Sequence, residues 1–219
     1  MVYNISMPKD YKLQFKESSL EKFNNKISRI FVIICLVFLW FSLIANSIYS
    51  EATVFGRSMM PTLNTNFSYS DSQTQDTVIL NHIKTPHKGD IIVVKKITNN
   101  QNEGINVIKR LIAIEGDKIK VLSTGQIVLN GEILQEDYVN TINREILYEK
   151  FYGTNGLKIK NPDLFIDDEL FVPKNHIFYL GDNRGESEDC ASYGPIHKKY
   201  LIARVDYVIK AGESKAEKI

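Results

Sequence analysis

Ser58 lies in the octet Gly56-Arg57-Ser58-Met59-Met60-Pro61-Thr62-Leu63. Gly56 lets the chain pass close to another backbone, and Pro61 fixes its own φ and pushes Met60 extended. Such a turn can hold a hydroxyl at a set angle. A serine hydroxyl is a weak nucleophile and needs a base to take its proton. Histidine is the usual base, but none of His82, His87, His176 and His197 sits in a motif. A lysine can serve when it is neutral, and burial among apolar groups lowers its pKa. Lys109 stands between Val107-Ile108 and Leu111-Ile112 in a run that reads as a strand, with Val107 and Leu111 on its own face. The same two residues also read as a loop serine and as an edge-strand lysine that keeps sheets apart. A third stretch runs Gly181-Asp182-Asn183-Arg184-Gly185-Glu186-Ser187-Glu188-Asp189-Cys190-Ala191-Ser192-Tyr193-Gly194-Pro195. Its Asp-Asn and Ser-x-Asp pairs are also common turn formers.

The octet, Val107–Asp117 and Gly181–Pro195, in this order behind one apolar run, resemble the boxes of type I signal peptidases. These are membrane-anchored Ser/Lys proteases that remove signal peptides from exported proteins. The resemblance extends from the apolar run to about Asp206 and is weakest over 131–175. It implies Ser58 as nucleophile, Lys109 as general base and Met59 packed beside the lysine. It implies an oxyanion hole built on the Ser58 backbone N–H, with no side-chain donor at Gly56, where some relatives carry a hydroxyl. Ser187 would hydrogen-bond the Lys109 nitrogen, and Asp182 and Asp189 would hold the framework. Two positions depart from the family pattern. Cys190-Ala191 replaces Ser-Arg, which leaves Asp189 needing another cation, from Arg110 or Arg184. Glu115 replaces a proline. Substrate would lie along Ala52–Gly56 and Asn106–Ile108, with Phe55, Gly56, Val107 and Ile108 at the subsites and small residues preferred at the first and third positions before the cleaved bond.

The elements that must carry these residues follow from hydropathy. Ile30–Tyr49 has no charged residue and is long enough as a helix to span a bilayer. We take 30–50 as a transmembrane helix, with Ser19–Ile30 running helically into it. A cleaved signal peptide is the competing reading, with Ala45-Asn46-Ser47 as its site, but the roughly 29 residues before the run are long for one. Lys9, Lys12, Lys16, Lys22, Lys26 and Arg29 outnumber Asp10, Glu17 and Glu21 ahead of the run. The positive-inside rule therefore places 1–29 in the cytoplasm and the rest outside. Beyond the run the charge is nearly balanced and nothing points to nucleic acid.

Residues 51–210 read as a β-rich, antiparallel catalytic domain. Strands are expected at Thr77–Leu80, Asp90–Val94, Asn106–Ile114, Phe171-Val172, His176–Leu180 and Leu201–Ile209. Asp117–Val121 and Gln126–Leu129 read as a hairpin across Ser123-Thr124-Gly125, and Asn130-Gly131 as a further hairpin turn. Asn64–Asp76 and Asn99–Gly104 read as polar loops. Residues 131–175 show no clear period and form a variable insertion, a candidate second β subdomain. Residues 211–219 read as a frayed tail. Cys35 and Cys190 lie too far apart to pair. No metal-ligand spacing is present, no cofactor is implied, and a monomer is expected.

The resemblance makes the expected partners signal peptides of secreted pre-proteins and membrane lipid. Three other readings compete. A LexA-type self-cleaving protein shares the Ser/Lys pair but has no membrane span. A non-catalytic or specialised paralogue would bind or process a few pre-proteins, such as pilins. A tethered structural domain explains the anchor but none of the three boxes.

Overall fold

The computed structural model describes residues 19–97, 104–139 and 144–219. The basic residues before Ser19, and most of the polar stretch expected at Asn99–Gly104, lie outside them. Two units are separate in the chain, Met1–Asn46 and Ser47–Ile219.

In the first unit, helix α1 runs from Ser19 and ends at Ile48. Its stretch Asn24–Ile48 is long and apolar enough to cross a membrane. Its apolar side chains are exposed around the whole circumference, Phe38 at 74% and Trp40 at 68%. A helix with no polar face has no water-facing side to offer. The helix stops short of the expected 50, because Tyr49 and Ser50 already belong to a strand.

The second unit holds two antiparallel sheets. The strands are β1 (Tyr49–Thr53), β2 (Thr77–Asn81), β3 (Ile91–Ile97), β4 (Gly104–Ile114), β5 (Lys118–Val121), β6 (Ile127–Leu129), β7 (Glu132–Ile133), β8 (Phe165–Ile166), β9 (Glu169–Phe171), β10 (His176–Leu180), β11 (Ile196–His197), β12 (Leu201–Ile209) and β13 (Ala216–Lys218). The larger sheet has the order β1-β2-β12-β3-β4-β10-β11, with β13 added to β12. The smaller has the order β7-β6-β5-β9-β8.

The strand β3 explains why the larger sheet lies in the middle. Its Ile91-Ile92-Val93-Val94 run does not alternate with polar residues, because both faces are covered. Ile91 and Val93 join a core with Val54, Met59, Leu63, Val78, Leu80 and Val205. Ile92 and Val94 join the other core, with Leu111, Ile119, Ile127, Phe151, Leu170 and Phe178. Lys109 lies opposite Ile92 in the β3–β4 ladder and is buried.

The segment 131–175 is β in part and helical in part. It contributes β7, β8 and β9, but β5 and β6 of the same sheet come from before it. Between them lie the short helices α2 (Ile146–Tyr152) and α3 (Leu157–Lys160). Leu147 and Phe151, one turn apart on α2, are fully buried in the core, and Phe151 meets the Phe178 ring at 5.8 Å. Two residues of helical spacing are too few to be seen as a period. A last short helix, α4 (Cys190–Tyr193), follows the third motif.

The C-terminal segment is also ordered where a frayed tail was expected. The strand β12 pairs with β3 only through Leu201–Arg204, so its later edge is free, and β13 takes it at Tyr207–Ile209. The hairpin of β5 and β6 forms at the expected place, and Asn130 (φ 54°) and Gly131 (φ 90°) make the tight turn into β7.

Candidate active site

Ser58 sits in a turn tied down from three sides. Gly56 has φ 91°, a conformation L side chains rarely adopt. The amide of Asn64 reaches back to the carbonyls of Val54 (2.8 Å) and Gly56 (3.0 Å). Asn64 and Asp76 exchange backbone-to-side-chain bonds, each 2.8 Å, which closes the loop between them. Asn183 N–H donates to the Ser58 carbonyl at 3.1 Å and its side chain to that of Arg57 at 3.2 Å. Met59 (2% exposed) and Leu63 (0%) drive the turn into the core. The Ser58 N–H donates to no backbone group among the described residues.

Lys109 projects from β4 to the same point. Its Nζ lies 2.7 Å from Ser58 Oγ and 2.9 Å from the Ile108 carbonyl. Burial lowers its pKa to about 8. Asp189, Asp182 and Glu188 oppose that shift and Lys96 reinforces it. The result is an amine that is neutral in about half of the molecules at about pH 8, in contact with a hydroxyl.

All three motif stretches meet at a second point, Asp182, which is fully buried. Arg110 donates to it twice, from Nε at 2.8 Å and Nη2 at 2.6 Å, in the fork geometry that guanidinium and carboxylate share. Thr62 Oγ1 donates to the same carboxylate at 2.5 Å. The octet, β4 and the third motif are thereby fixed to one another beside the Ser58–Lys109 contact. The other face of Arg110 carries the Tyr138 ring, 3.8 Å from Cζ, and its Nη1 donates to the Gly89 carbonyl.

Asp189 differs from expectation. It pairs with neither Arg110 nor Arg184. Its two oxygens accept from the backbone N–H of Gly181 (2.9 Å) and Ala191 (3.2 Å), the latter capping α4. Arg110 is taken by Asp182, and Arg184 by Glu136. Ser187 differs as well. Its hydroxyl is buried without a hydrogen-bond partner, and the Lys109 nitrogen bonds Ser58 and Ile108 instead. Ser187 Oγ packs on Gly181, where an added Cβ would lie 2.3 Å from it and 2.4 Å from the Ser58 carbonyl oxygen. That close approach is why position 181 has no side chain. The departure at Glu115 has a local use: its carboxylate accepts the Asn175 N–H at 2.7 Å, and this bond, aided by Lys198, lowers its pKa.

A cleft of about 350 Å³ opens at Ser58 and Lys109. Phe55, Gly56, Val107 and Ile108 all line it, with Ile105 and Asn106. The strand β4 pairs with β10 only through Arg110–Ile114, so Gly104–Lys109 leave their outer edge without a strand among the described residues. An extended peptide can add to such an edge through its backbone.

Sequence reasoning missed Asn64, Gly181, Tyr138, Glu136 and Lys150. Asn64 stood in a stretch read only as polar loop, and the last three stand in a segment without periodicity. Asn64 lies 8 to 12 residues from its partners, Lys150 lies 34 and 37 from its own and Glu136 lies 48 from Arg184, and no local pattern signals these contacts.

Comparison with known proteins adds the following. A family model described as "Signal peptidase, peptidase S26" matches residues 25–210. The signal peptidase I of Bacillus caldolyticus is 26% identical over 181 residues, covering 81% of this chain and 86% of that one. The signal peptidase I of Buchnera aphidicola subsp. Baizongia pistaciae is 25% identical over 208 residues, covering 69% of this chain. The chain spans 66% of the length of that relative. A crystal structure of a signal peptidase I from Enterococcus faecalis V583 is 27% identical at a TM-score of 0.39, covering 56% of this chain and 97% of that one.

Proposed function

The chain belongs to the signal peptidase family, peptidase S26, and we propose that it is a membrane-bound serine endopeptidase that removes N-terminal signal peptides from exported pre-proteins. The observation that carries this reading is the 2.7 Å contact between a buried lysine amine and Ser58 Oγ at the end of an open strand edge. Neutral Lys109 takes the Ser58 proton as Oγ attacks the carbonyl carbon of the scissile bond. The developing oxyanion lies at the Ser58 N–H, where a fixed donor stabilises it. The lysine ammonium then protonates the leaving amine, and the mature protein departs. Lys109, neutral again, takes a proton from the water that hydrolyses the acyl-serine, and returns it to Ser58.

Substrate runs beside β4 and the 53–56 segment, with its side chains entering the cleft alternately. Gly56, Val107 and Ile108 line the cleft, and the proposed substrates present small residues to them, as at Ala-x-Ala sites. Asp182 and Arg110 hold the framework, and Met59 anchors the turn. The apolar helix α1 anchors the protein, with residues 1–29 in the cytoplasm and 51–210 outside, on the charge balance of its flanks. Neither metal nor cofactor enters the scheme, and one chain suffices for it.

The test is incubation of the purified protein with a pre-protein bearing an Ala-x-Ala site, followed by sequencing of the new N-terminus. Cleavage after the second Ala is expected, and it should be lost in Ser58→Ala and Lys109→Ala. Persistence of cleavage in Ser58→Ala would sink the reading.

A further inference from the structure

Lys150 stands on α2, inside the 131–175 insertion, an excursion from the larger sheet to which the sequence assigns no role in the chemistry. Its ammonium donates to two carbonyl oxygens of the third motif, those of Arg184 and Ser187, each at 2.7 Å. No backbone N–H among the described residues donates to either oxygen. A second residue of the excursion grips the same loop. The Glu136 carboxylate, fully buried, pairs with the Arg184 guanidinium, itself 1% exposed, and with Arg144 at 3.0 Å. Arg184 Nε in turn donates to the Gly181 carbonyl at 3.1 Å. The loop is thus held at its start through Glu136 and at its crest through Lys150.

This loop decides where the reacting groups lie. Gly181 is in close contact with the Ser58 carbonyl and Ser187, Asn183 N–H bonds that carbonyl, and Asp182 binds Arg110 next to Lys109. Asp182, Glu188 and Asp189, the carboxylates that act on Lys109, all ride on it. The fourth charge, Lys96 on β3, is bound to Glu188 at 2.7 Å. Because Glu188 is 70% exposed, that pair is a weak tie by comparison.

We infer that Lys150 is a positioning residue for the Ser58–Lys109 pair, locking the Gly181–Asp189 loop from the excursion so that the pair stays aligned and dry. The inference rests on the dyad reading above. Without the ammonium, two carbonyls lose their donor, the loop loosens, and water reaches the lysine.

The experiment compares full-length wild type, Lys150→Met and Lys150→Arg in detergent, using a peptide with an Ala-x-Ala site from about pH 6 to pH 10. Lys150→Met should lose about 10- to 100-fold in kcat, the scale of a small misalignment, with KM within about twofold. Its activity profile should move up by about one pH unit as Lys109 becomes better solvated. Lys150→Arg keeps charge and donors and should stay within about threefold of wild type. NMR titration of isotope-labelled lysines, with Lys109 assigned by its loss in Lys109→Met, should show the same shift without any turnover. An unchanged kcat and profile in Lys150→Met overturns the inference. So does a loss equal at every pH and explained by the folded fraction. If Lys150→Met does not fold, Lys150→Gln takes its place; failure of both to fold makes the clamp merely structural and also overturns it. A wild type that cleaves nothing sinks the dyad reading, and the NMR titration still decides the clamp.

Discussion

Burial of Lys109 sets a curve that can be drawn before any assay. With its pKa at about 8, about one tenth of the enzyme carries a neutral Lys109 at pH 7, about half at pH 8 and about nine tenths at pH 9. The rate constant kcat/KM should therefore rise about tenfold from pH 7 to pH 9 and then level off. An ordinary lysine, near 10.4, would give a rise of about a hundredfold over the same interval and no plateau below pH 10. The assay is kcat/KM on a short peptide with an Ala-x-Ala site, in overlapping buffers, with Lys109→Arg alongside. Arginine stays protonated and cannot take the proton, so that variant should be inactive throughout. A climb that continues past about pH 10, or comparable rates in Lys109→Arg, refutes the argument.

The same shift has a thermodynamic face that requires no substrate. The folded pKa lies below the unfolded one, so between them the unfolded chain binds more protons and stability rises with pH. The stability tied to neutral Lys109 is present above about pH 10.4 and is lost as pH falls through 8, for a cost of about 3 kcal/mol at neutral pH. Lys109→Met removes that cost together with the hydrogen bonds to Ser58 and Ile108. Its stability relative to wild type should therefore fall by up to about 3 kcal/mol between pH 7 and pH 10.4, read by chemical denaturation. A difference that does not change with pH would mean that Lys109 is not buried as described.

Three other perturbations follow from the geometry. Lys96→Gln removes a cation that depresses the Lys109 pKa and frees Glu188, which raises it, so the midpoint of the activity profile should move up; a downward move contradicts the charge assignment. Gly181→Ala puts a Cβ 2.4 Å from the Ser58 carbonyl oxygen, and kcat/KM should fall on the order of 10²-fold, the scale for misplaced reacting groups, with near-wild-type activity the refuting result. Ala191→Arg forces a guanidinium into a site that is 0% exposed, where an unpaired charge costs several kcal/mol; a variant with an unchanged melting temperature would show that Asp189 was waiting for a cation after all.

How much of this was legible in the sequence follows from the range of each interaction. The long strands β4 and β12 carry their own β-branched residues, and the Asn130-Gly131 turn carries its own positive φ, so each announces itself within a few residues. The excursion does not. Its helix α2 is defined by where Leu147 and Phe151 are buried, and seven residues hold too little pattern to reveal that beforehand. The Glu136–Arg184 and Lys150–loop contacts join residues 48 and 37 apart or closer, through single side chains that look like ordinary surface charges when read in line. Tertiary approach alone selects them.

Asp189 shows the same limit from the other direction. Read as a motif position, it lacks a cation because Ala191 stands where an arginine would be. In the fold its oxygens are satisfied by the N–H groups of Gly181 and Ala191, so no charge is orphaned. The price appears at Lys109 instead. An arginine beside Asp189 would offset a carboxylate that holds the lysine pKa up; here Asp189 is the strongest influence in that direction. Burial must then do most of the work of keeping the amine neutral, with Lys96 assisting. Cys190 and Ala191, both fully buried, keep that side of the loop apolar and dry. The apolar pair at 190–191 thus favours neutral Lys109 by excluding water, whereas an arginine at 191 would do so by opposing Asp189.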